Sequence, residues 1–409
     1  MKFGTMTMQK CRRLIRKGQS MNIGILGGGI GGLSVAIALK QKGFDVDVYE
    51  RHSQPTEIGA GIVCWPNASF VLEQLGVLNK VAKVSGSLNS MDRFSSDGQP
   101  IGSLDINKLN ELMTYPSYSI IRKDLMKILI LRALELNINI HFQHNVICLE
   151  SNKNGKVRVK FSNNTHIEPD IIVGADGRMN SLARQYVNGH NIPVYQGFVN
   201  WIGVIDSDSE LFTNLSVSDY WGVGERFGIV PISKTKAYWA AGVASKSIGQ
   251  TIPELYQSEL MSRFSKWPTP IAQIIAETPL SRINKIYVHD HDSIKTWHKD
   301  NVMLLGDAAH SALPTSGQGA CQALEDAWHF ANCLAEHKHD LSKTFCQFTE
   351  LRMKKTSSIT LGGRQLAASI FNQDLAFCKQ RDIASKNTNY AGLVSGMAKG
   401  WMSELPIGA

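Results

Sequence analysis

One stretch near the start of the chain constrains the fold more than any other. Residues 22–51 read NIGILGGGIGGLSVAIALKQKGFDVDVYER, with three glycines at G-x-G-x-x-G spacing between two apolar runs. The apolar runs, residues 23–26 and 44–49, are typical of buried parallel strands, and the segment between them has the pattern of a helix. Strand, glycines, helix, strand and the acid Glu50 follow in that order. The stretch therefore predicts a βαβ unit.

Each part of this unit has a physical role in binding a nucleotide. Gly27 permits a tight turn, Gly29 lets the backbone approach a pyrophosphate, and Gly32 lets helix and strand pack closely. The helix N-terminus offers unpaired N–H groups to phosphates. Glu50 stands where a carboxylate accepts hydrogen bonds from ribose hydroxyls, which favours NAD or the adenosine half of FAD over NADP. The alternative is a βαβ unit whose glycines serve packing alone.

Length and composition indicate a globular chain with two or three domains. The 409 residues are 43% hydrophobic and 19% charged, and no apolar run approaches the ~18–20 residues of a membrane span. We therefore predict no integral membrane segment. The seven cysteines are odd in number and form no C-x-x-C motif. This usage favours a reduced, cytoplasmic protein over a disulfide framework.

The net charge of +8 is concentrated at one end of the chain. Residues 1–20 contain six Lys or Arg and no acid, which leaves +2 on the remainder. The segment has no apolar core of the secretory kind, and its composition also suits an organelle-targeting segment, a nucleic-acid arm or a membrane-touching tail. We interpret residues 1–20 as a basic, disordered extension or as the result of a true start at Met21. Nucleic acid is not an expected partner.

Two further motifs end apolar runs later in the chain. Residues 171–173 lead into GADG at 174–177, and residues 302–305 lead into GDAAH at 306–310. The carboxyl ends of parallel strands share one edge of a sheet, so we expect both motifs beside the glycine-rich turn. An aspartate directly after Gly306 can hydrogen-bond a polyol. His289 and His291 share a strand face, but nothing nearby completes a coordination sphere, so we predict no metal site.

The middle of the chain has a different sequence pattern from the first half, and the C-terminal tail has the pattern of helices. Short alternating strands at 198–205, 227–232 and 237–243 indicate a mixed sheet, to which a hairpin over 92–104 belongs. The predicted fold is α/β: a Rossmann-like parallel-sheet domain, an inserted mixed β-sheet domain and C-terminal helices, with a helix break at Gly362 and Gly363. The predicted nucleotide domain comprises 21–90, 118–187 and 293–340. The inserted domain comprises 91–117 and 188–292, and the helical tail 341–409.

The three motifs, with Arg122 before its helix and PTSGQGACQALEDA at 314–327, resemble the single-component FAD-dependent aromatic hydroxylases of the para-hydroxybenzoate hydroxylase fold. The similarity covers residues 21–335. It implies FAD as the cofactor, with Arg122 at the pyrophosphate, Asp307 at the ribitol and residues 317–321 against the isoalloxazine. The implied cofactor-binding residues are Gly27, Gly29, Gly31, Gly32, Glu50, Arg51, Val63, Arg122, Val146, Asp176, Asp307, Gly317, Gln318, Gly319, Ala320 and Cys321. One extra residue between Gly177 and Ser181, relative to the commoner form, leaves the roles of Ser181 and Arg184 open.

Within this family, several stretches look most similar to bacterial FAD-dependent urate hydroxylases: VCWPN at 63–67, FVNW at 198–201, VGER at 223–226 and NKIYVHD at 284–290. By that resemblance Arg226 and Tyr238 are the catalytic residues, and Asn200, Arg226, Tyr238 and Gln318 contact the substrate. Taken alone, Arg226 also suits a surface hairpin, Tyr238 a core aromatic and Asn200 a strand edge. The urate enzymes carry an aspartate at the position of Thr315, so a phenol or a heteroaromatic carboxylate is an equal expectation to urate.

The resemblance implies NAD(P)H- and O₂-dependent hydroxylation of a small electron-rich aromatic or heteroaromatic compound through a flavin C4a-hydroperoxide. Arg226 is expected to pair with an anionic substrate, and Tyr238 to hydrogen-bond it or help deprotonate it. NADH or NADPH is expected as a transient co-substrate, and the chain as a monomer or homodimer. The alternatives are a urate 5-hydroxylase proper, a flavin reductase or oxidase without oxygenase activity, and a non-catalytic nucleotide-binding module.

Overall fold

The structure is a computed structural model that describes residues 21–54, 61–152, 156–337 and 339–408. The predicted basic extension, residues 1–20, lies outside the described residues. The strands are β1 Asn22–Leu26, β2 Asp45–Tyr49, β3 Gly61–Cys64, β4 Gly86–Ser87, β5 Ser90–Ser95, β6 Pro100–Asp105, β7 Tyr118–Ile121, β8 Asn139–His141, β9 Val146–Ser151, β10 Val157–Phe161, β11 His166–Ile167, β12 Ile171–Gly174, β13 Val194–Asp206, β14 Val217–Trp221, β15 Glu225–Pro231, β16 Lys236–Ala244, β17 Ile283–Asp290, β18 His298–Lys299 and β19 Val302–Leu304. The α-helices are α1 Ile30–Gln41, α2 Pro66–Gln74, α3 Leu78–Ala82, α4 Ile106–Met113, α5 Arg122–Glu135, α6 Leu182–Asn188, α7 Tyr256–Phe264, α8 Ile271–Glu277, α9 Asp307–His310, α10 Gly319–Glu336, α11 Leu341–Ile370, α12 Leu375–Lys386 and α13 Tyr390–Met402.

A six-stranded sheet in the order β18-β19-β12-β1-β2-β8 forms the nucleotide-binding half. Its strands are parallel except for β18, which runs antiparallel to β19. The central strands are apolar on both faces because helices cover the sheet, so β1, β12 and β19 are almost fully buried. All six strands lie in the chain segments predicted for this domain, although the domain division itself stays a prediction.

A seven-stranded sheet in the order β17-β13-β16-β15-β14-β5-β6 forms the second layer. It is antiparallel except where β5 runs parallel to β14. One face packs on α7 and α8 around Trp239, Phe227 and Phe264, with Leu260 and Ile274 from the two helices. Alternate residues on these strands point the other way, toward the small β3-β7-β4 sheet, where the Ser119 hydroxyl donates to the Pro231 carbonyl oxygen at 2.5 Å.

The C-terminal segment is helical, but the predicted helix break at Gly362 and Gly363 is wrong. Helix α11 continues through both glycines and ends at Ile370. A Cβ on Gly363 would stand 3.3 Å from Ser316 Cβ, and the Thr315 hydroxyl donates to the Gly363 carbonyl oxygen at 2.8 Å. Gly363 therefore permits close approach of the Pro314–Ser316 turn. No helix in the described residues is long and apolar enough to cross a membrane.

The predicted α/β class is confirmed: a parallel sheet, further sheets and C-terminal helices are all present. The sequence analysis did not predict β14.

Candidate functional site: a strand-end cleft facing a polar sheet

The three strand-end motifs meet at one edge of the parallel sheet. Leu26 pairs with Gly174, and Gly174 pairs with Leu304, so the turns that follow β1, β12 and β19 lie side by side. This is the carboxyl edge, where ligands bind in open α/β sheets. The expectation that segments more than 120 residues apart in sequence converge is confirmed.

Different structural constraints explain the glycines of the first turn. Gly27 has φ +107°, a conformation that disfavours side chains, and a Cβ on Gly32 would overlap the Gly27 carbonyl oxygen. A Cβ on Gly31 would stand 3.2 Å from Leu305 and 3.3 Å from Ala323, so Gly31 lets α1 pack against α10. Gly29 has open space around it. No side chain caps α1, so its first N–H groups remain available to phosphates.

Charged side chains flank this turn. Glu50 accepts from the Gly28 backbone N–H at 2.7 Å and from the His52 backbone N–H at 3.0 Å. Arg122, the first residue of α5, is electrostatically coupled to Asp307 and Glu50, yet burial dominates and lowers its pKa. Arg178 lies 3.4 Å from the Asp307 carboxylate, whose side chain stays 39% exposed. Asp307 therefore presents a reachable acceptor at the end of β19.

A cleft of about 410 Å³ lies beside Arg51, the residue after Glu50. Arg51 and Val146 line it together with residues of the 179–182 loop. Both are among the predicted cofactor-binding residues, and the structure brings them together. The cleft is open to solvent on one side and mostly polar, as suits a nucleotide more than an apolar ring.

Asp176, predicted as a cofactor residue, has a local structural role. Its two carboxylate oxygens accept from the Ser181 hydroxyl at 2.5 Å and the Ala183 backbone N–H at 3.1 Å. Burial raises its pKa. Ser181 in turn caps α6, and buried Arg184 donates to the carbonyl oxygens of Ala308 and Ala309 at 3.0 and 3.1 Å. These contacts answer the open question about Ser181 and Arg184: they tie the GADG and GDAAH segments together.

The loop before α10 is anchored to Trp65 and to Val63 of β3. Gly317 has φ +62°, and its carbonyl oxygen accepts from the Trp65 indole at 2.9 Å. Cys321 is buried, and its thiol donates to the Val63 carbonyl oxygen at 3.4 Å. Helix α10 begins at Gly319 and Ala320 without a side-chain cap. A second helix N-terminus, suited to a carbonyl or negative group, thus begins at this loop.

Behind this loop lies a buried polar network that the sequence did not reveal. The Arg352 guanidinium donates to Glu325 at 2.6 Å and to Asp326 at 2.7 Å, and Lys355 lies 2.8 Å from Glu325. Arg352, Glu325 and Asp326 are wholly buried. Burial alone would raise the pKa values of both acids, but the facing cations, with His310 beside Asp326, hold both below their usual range.

This network anchors two parts of the predicted FAD site. Asp326 accepts from the Gly306 backbone N–H at 2.8 Å and from His310 at 2.5 Å. The Gln318 side chain is 1% exposed and accepts from Asn67 at 2.9 Å. The structure thus places the Gln318 side chain in the buried network, and its predicted contact with substrate stays a prediction.

The polar sheet face carries the other predicted substrate residues. Cross-strand pairs Asn200–Gly242 and Gly242–Arg226 put Asn200 and Arg226 on one face, and Tyr238 lies on that face two alternations along β16. The ring of Tyr238 packs against Gly61 of β3, where a Cβ would overlap it. Asn200, Arg226 and Tyr238 are therefore brought together between the sheet and the strand that leads to Trp65.

Arg226 is held by a residue that the sequence analysis missed. Its Nε donates to the Asp219 carboxylate at 2.6 Å, and the second Asp219 oxygen accepts from the Trp221 indole at 2.9 Å. Asp219 lies on β14, which the sequence analysis did not predict. The available signal was the Gly222-Val223-Gly224 turn, since a hairpin there sets Asp219 diagonally across from Arg226.

Tyr238 is a neutral phenol in this environment. Burial, then the nearby Cys64, raises its pKa well above the usual value, while Arg226 opposes the rise. A phenol with a raised pKa can donate a hydrogen bond but is a poor general base. Of the two roles predicted for Tyr238, hydrogen bonding fits the structure and deprotonation does not.

His289 and His291 contact carbonyl oxygens, those of Tyr287 and Arg178 respectively. Among the described residues no cluster of His, Cys, Asp or Glu has the arrangement of a metal site.

The donor set fits FAD at this edge of the sheet. Two uncapped helix N-termini suit the pyrophosphate and a ring carbonyl, the Arg51–Val146 cleft suits the adenosine, and half-exposed Asp307 suits a polyol. These assignments of individual residues stay predictions.

Comparisons with known proteins agree with this site. A family model described as FAD binding domain matches residues 20–343. The aurachin C monooxygenase/isomerase of Stigmatella aurantiaca is 32% identical over 342 residues, covering 84% of this chain and 88% of that protein. The FAD-dependent urate hydroxylase of Mycolicibacterium vanbaalenii is 30% identical over 350 residues, covering 84% and 87%.

A solved structure shows the same fold. The crystal structure of Klebsiella pneumoniae HpxO complexed with FAD and uric acid superposes with a TM-score of 0.85 at 26% identity, covering 94% of this chain and 97% of that one. The match extends through the seven-stranded sheet and into the C-terminal helices, beyond the region of the family model.

Proposed function

The chain belongs to the FAD binding domain family of flavin-dependent aromatic and heteroaromatic hydroxylases, and on that premise we propose that it hydroxylates a small aromatic ring with O₂ and NADH or NADPH. FAD as cofactor and monooxygenase as enzyme class follow from the family. The nicotinamide co-substrate, the ring and the individual site residues are the proposal.

One observation supports the proposal most directly. The sheet face that carries Asn200, Arg226 and Tyr238 packs at Tyr238 on Gly61 of β3, and Val63 of the same strand contacts Cys321 in the first turn of α10. A nucleotide-sensing module or a simple reductase has no need for polar groups fixed on a second surface opposite the cofactor. A hydroxylase needs them because the ring must be held in one orientation while oxygen is transferred.

The overall reaction balances as ring–H + O₂ + NAD(P)H + H⁺ → ring–OH + NAD(P)⁺ + H₂O. When bound, FAD supplies the electron and oxygen chemistry. The protein positions the substrate ring and excludes water from the site. Arg226 and the Tyr238 phenol donate hydrogen bonds to the ring substituents. Phe371 stacks on Phe198, with ring centroids 4.1 Å apart, and covers the outer end of the face at Gly242. This cover limits entry of water, which would otherwise divert the reaction toward peroxide.

A panel assay separates the proposal from its alternatives. NADH or NADPH oxidation by the FAD-loaded protein is followed with urate, hydroxybenzoates, salicylate and quinolones, and hydrogen peroxide is quantified in parallel. Faster oxidation with one compound and little peroxide is expected for a hydroxylase. Peroxide equal to the NAD(P)H consumed, with every compound, contradicts the proposal and indicates an oxidase. Stimulation by urate alone identifies a urate hydroxylase despite the threonine at position 315.

A further inference from the structure

An indole holds the turn of the loop that is predicted to lie against the isoalloxazine. Trp65 is 4% exposed, and its Nε1 donates to the Gly317 carbonyl oxygen at 2.9 Å. The N–H of the same peptide, that of Gln318, donates to the Ser316 hydroxyl at 3.2 Å. Because a peptide unit is planar, these two bonds fix the orientation of the whole 317–318 peptide. The shape of the loop therefore depends on the rotamer of Trp65.

The ring of Trp65 is in contact with the C-terminal helix. The ring centroids of Trp65 and Trp401 lie 5.2 Å apart, with the planes inclined by 47°. Trp401 stands in the last turn of α13 and packs against the main hydrophobic core. Contact between two aromatic rings is favourable beyond the area that it buries, so Trp401 restricts rotation of its neighbour. Helix α13 lies beyond residue 343, where the match to the FAD binding domain model ends.

A buried lysine fixes the end of α13. Lys355 is 8% exposed, and its Nζ donates to the carbonyl oxygens of Trp401 at 2.7 Å and Ser403 at 3.0 Å. Its third N–H faces the Glu325 carboxylate at 2.8 Å, so all three donors of the ammonium group are used. The last carbonyl oxygens of a helix lack partners within it and carry partial negative charge, which a cation compensates. Glu325 also accepts from Asn67 in the first turn of α2.

We infer that Trp401 is a positioning residue for the isoalloxazine of FAD, and that it acts through the Trp65 indole on the Gly317 carbonyl oxygen. Lys355 keeps Trp401 in place, and Trp401 itself does not have to touch the cofactor. When the Trp401 ring is absent, the indole gains freedom, its bond to Gly317 weakens and the N–H groups of the loop lose their alignment. The inference rests on the proposed function, because it takes residues 317–321 as the isoalloxazine contact.

A double-mutant cycle in FAD affinity tests this route. FAD is titrated into the full chain stripped of cofactor, for the unmodified protein, Trp65→Phe, Trp401→Ala and the double variant. Trp65→Phe keeps a ring but loses the N–H donor, and we expect FAD affinity to fall about fivefold. Trp401→Ala should have a similar effect. The double variant should also lose about fivefold, whereas two independent effects would multiply to about 25-fold.

The visible circular dichroism of bound FAD separates positioning from packing. It reports the surroundings of the isoalloxazine, so a residue that only stabilises the fold leaves it unchanged. We expect Trp65→Phe and Trp401→Ala to change this spectrum in the same way, and Trp401→Phe, which keeps a ring beside the indole, to restore it. Lys399→Met, at an exposed position on the same helix, is the control and should change neither affinity nor spectrum.

Two results would overturn the inference: a 25-fold loss in the double variant, or an unmodified flavin spectrum in Trp401→Ala. If Trp401→Ala does not fold, Trp401→Leu takes its place, because leucine keeps apolar bulk without a ring. Failure of the proposed function is distinguishable, since FAD is bound here without NAD(P)H. A protein that shows the expected cycle but yields only peroxide would refute the hydroxylase and support the positioning role.

Discussion

Two of the arginines that face carboxylates, Arg352 and Arg226, have their hydrogen-bond donors satisfied to different degrees. Arg352 is wholly buried, and its nitrogens donate to Glu325, Asp326 and Gln322. Arg226 is partly exposed, and among the described residues only its Nε has a partner, Asp219. The first arrangement leaves nothing for a ligand. The second fixes the guanidinium and keeps its terminal donors open.

The difference indicates separate roles for the two clusters. A saturated buried network costs much to desolvate and is disrupted when one member is lost, so it suits a scaffold. Arg352 holds Glu325 and Asp326, and these hold the Gln318 and Gly306 ends of the predicted FAD site. An arginine with open donors suits recognition. We therefore predict that Arg226 contributes to binding and that Arg352 supports the loop of the predicted FAD site.

The largest expected effect follows from Arg352→Met. Removal of the guanidinium leaves two buried carboxylates with less compensation, which typically costs about 3–5 kcal/mol. We expect a large loss in the free energy of unfolding by denaturant titration, together with weaker FAD retention. Lys354→Met, an exposed position on the same helix, is the control and should change little. A stable, FAD-loaded Arg352→Met protein would remove the distinction between the two clusters.

Arg226→Met should have the opposite signature. The protein is expected to keep FAD and to lose less stability than Arg352→Met, since the site is partly exposed. Affinity for the best compound of the panel should fall about 100-fold, the effect of losing about two charge-assisted hydrogen bonds at roughly 1.5 kcal/mol each. Titration calorimetry checks the affinity, and the flavin absorbance checks loading. Unchanged affinity would place recognition elsewhere.

The buried network around Arg352 should also affect how the free energy of unfolding depends on pH. Burial, and then the charge of Arg352, lowers the pKa of His329 to about 3. The unfolded value is about 6.5, so the unfolded chain binds the extra proton first and stability falls as pH decreases from about 6.5 toward 3. His329→Gln should reduce this slope by up to one proton, about 1.4 kcal/mol per pH unit.

His298→Gln provides the comparison for that slope. The pKa of His298 is lowered by burial alone, and among its causes no charged partner appears. Because the shift at His298 has no contribution from a charged group, its effect on the slope should span a narrower range of pH than that of His329. An effect of His329→Gln confined to the same pH range as that of His298→Gln would contradict a contribution of Arg352.

Tyr238→Phe should have the smallest effect. The phenol offers one hydrogen bond of about 1 kcal/mol, so a fivefold loss in kcat/KM is expected. Because burial raises the pKa of Tyr238 well above its usual value, the pH profile between 7 and 9 should be the same in both proteins. A profile whose basic limb disappears in Tyr238→Phe would show that the phenol titrates during the reaction.

The sequence predicted the local units of the fold better than the partners of the buried charges. Gly27, Gly32 and the βαβ pattern have local causes, and the three motifs converge because parallel strands share an edge. The partners of Arg352 are 26 and 27 residues away on another helix, and no local pattern marks them. Asp219 was missed because the pattern of β14 is short and irregular. The helix break predicted at Gly363 was wrong because this glycine is explained by a tertiary contact with Ser316, which no local sequence pattern shows.

The most direct test of the central claim is isotopic. The FAD-loaded protein is incubated with NAD(P)H, with ¹⁸O₂ and with the compound that most accelerates NAD(P)H oxidation. The mass of the product is then measured by mass spectrometry. The account predicts a product carrying one ¹⁸O atom, in an amount close to the NAD(P)H consumed. An unlabelled compound with all oxygen recovered as labelled peroxide would contradict it, because the protein would then be an oxidase built on the same fold.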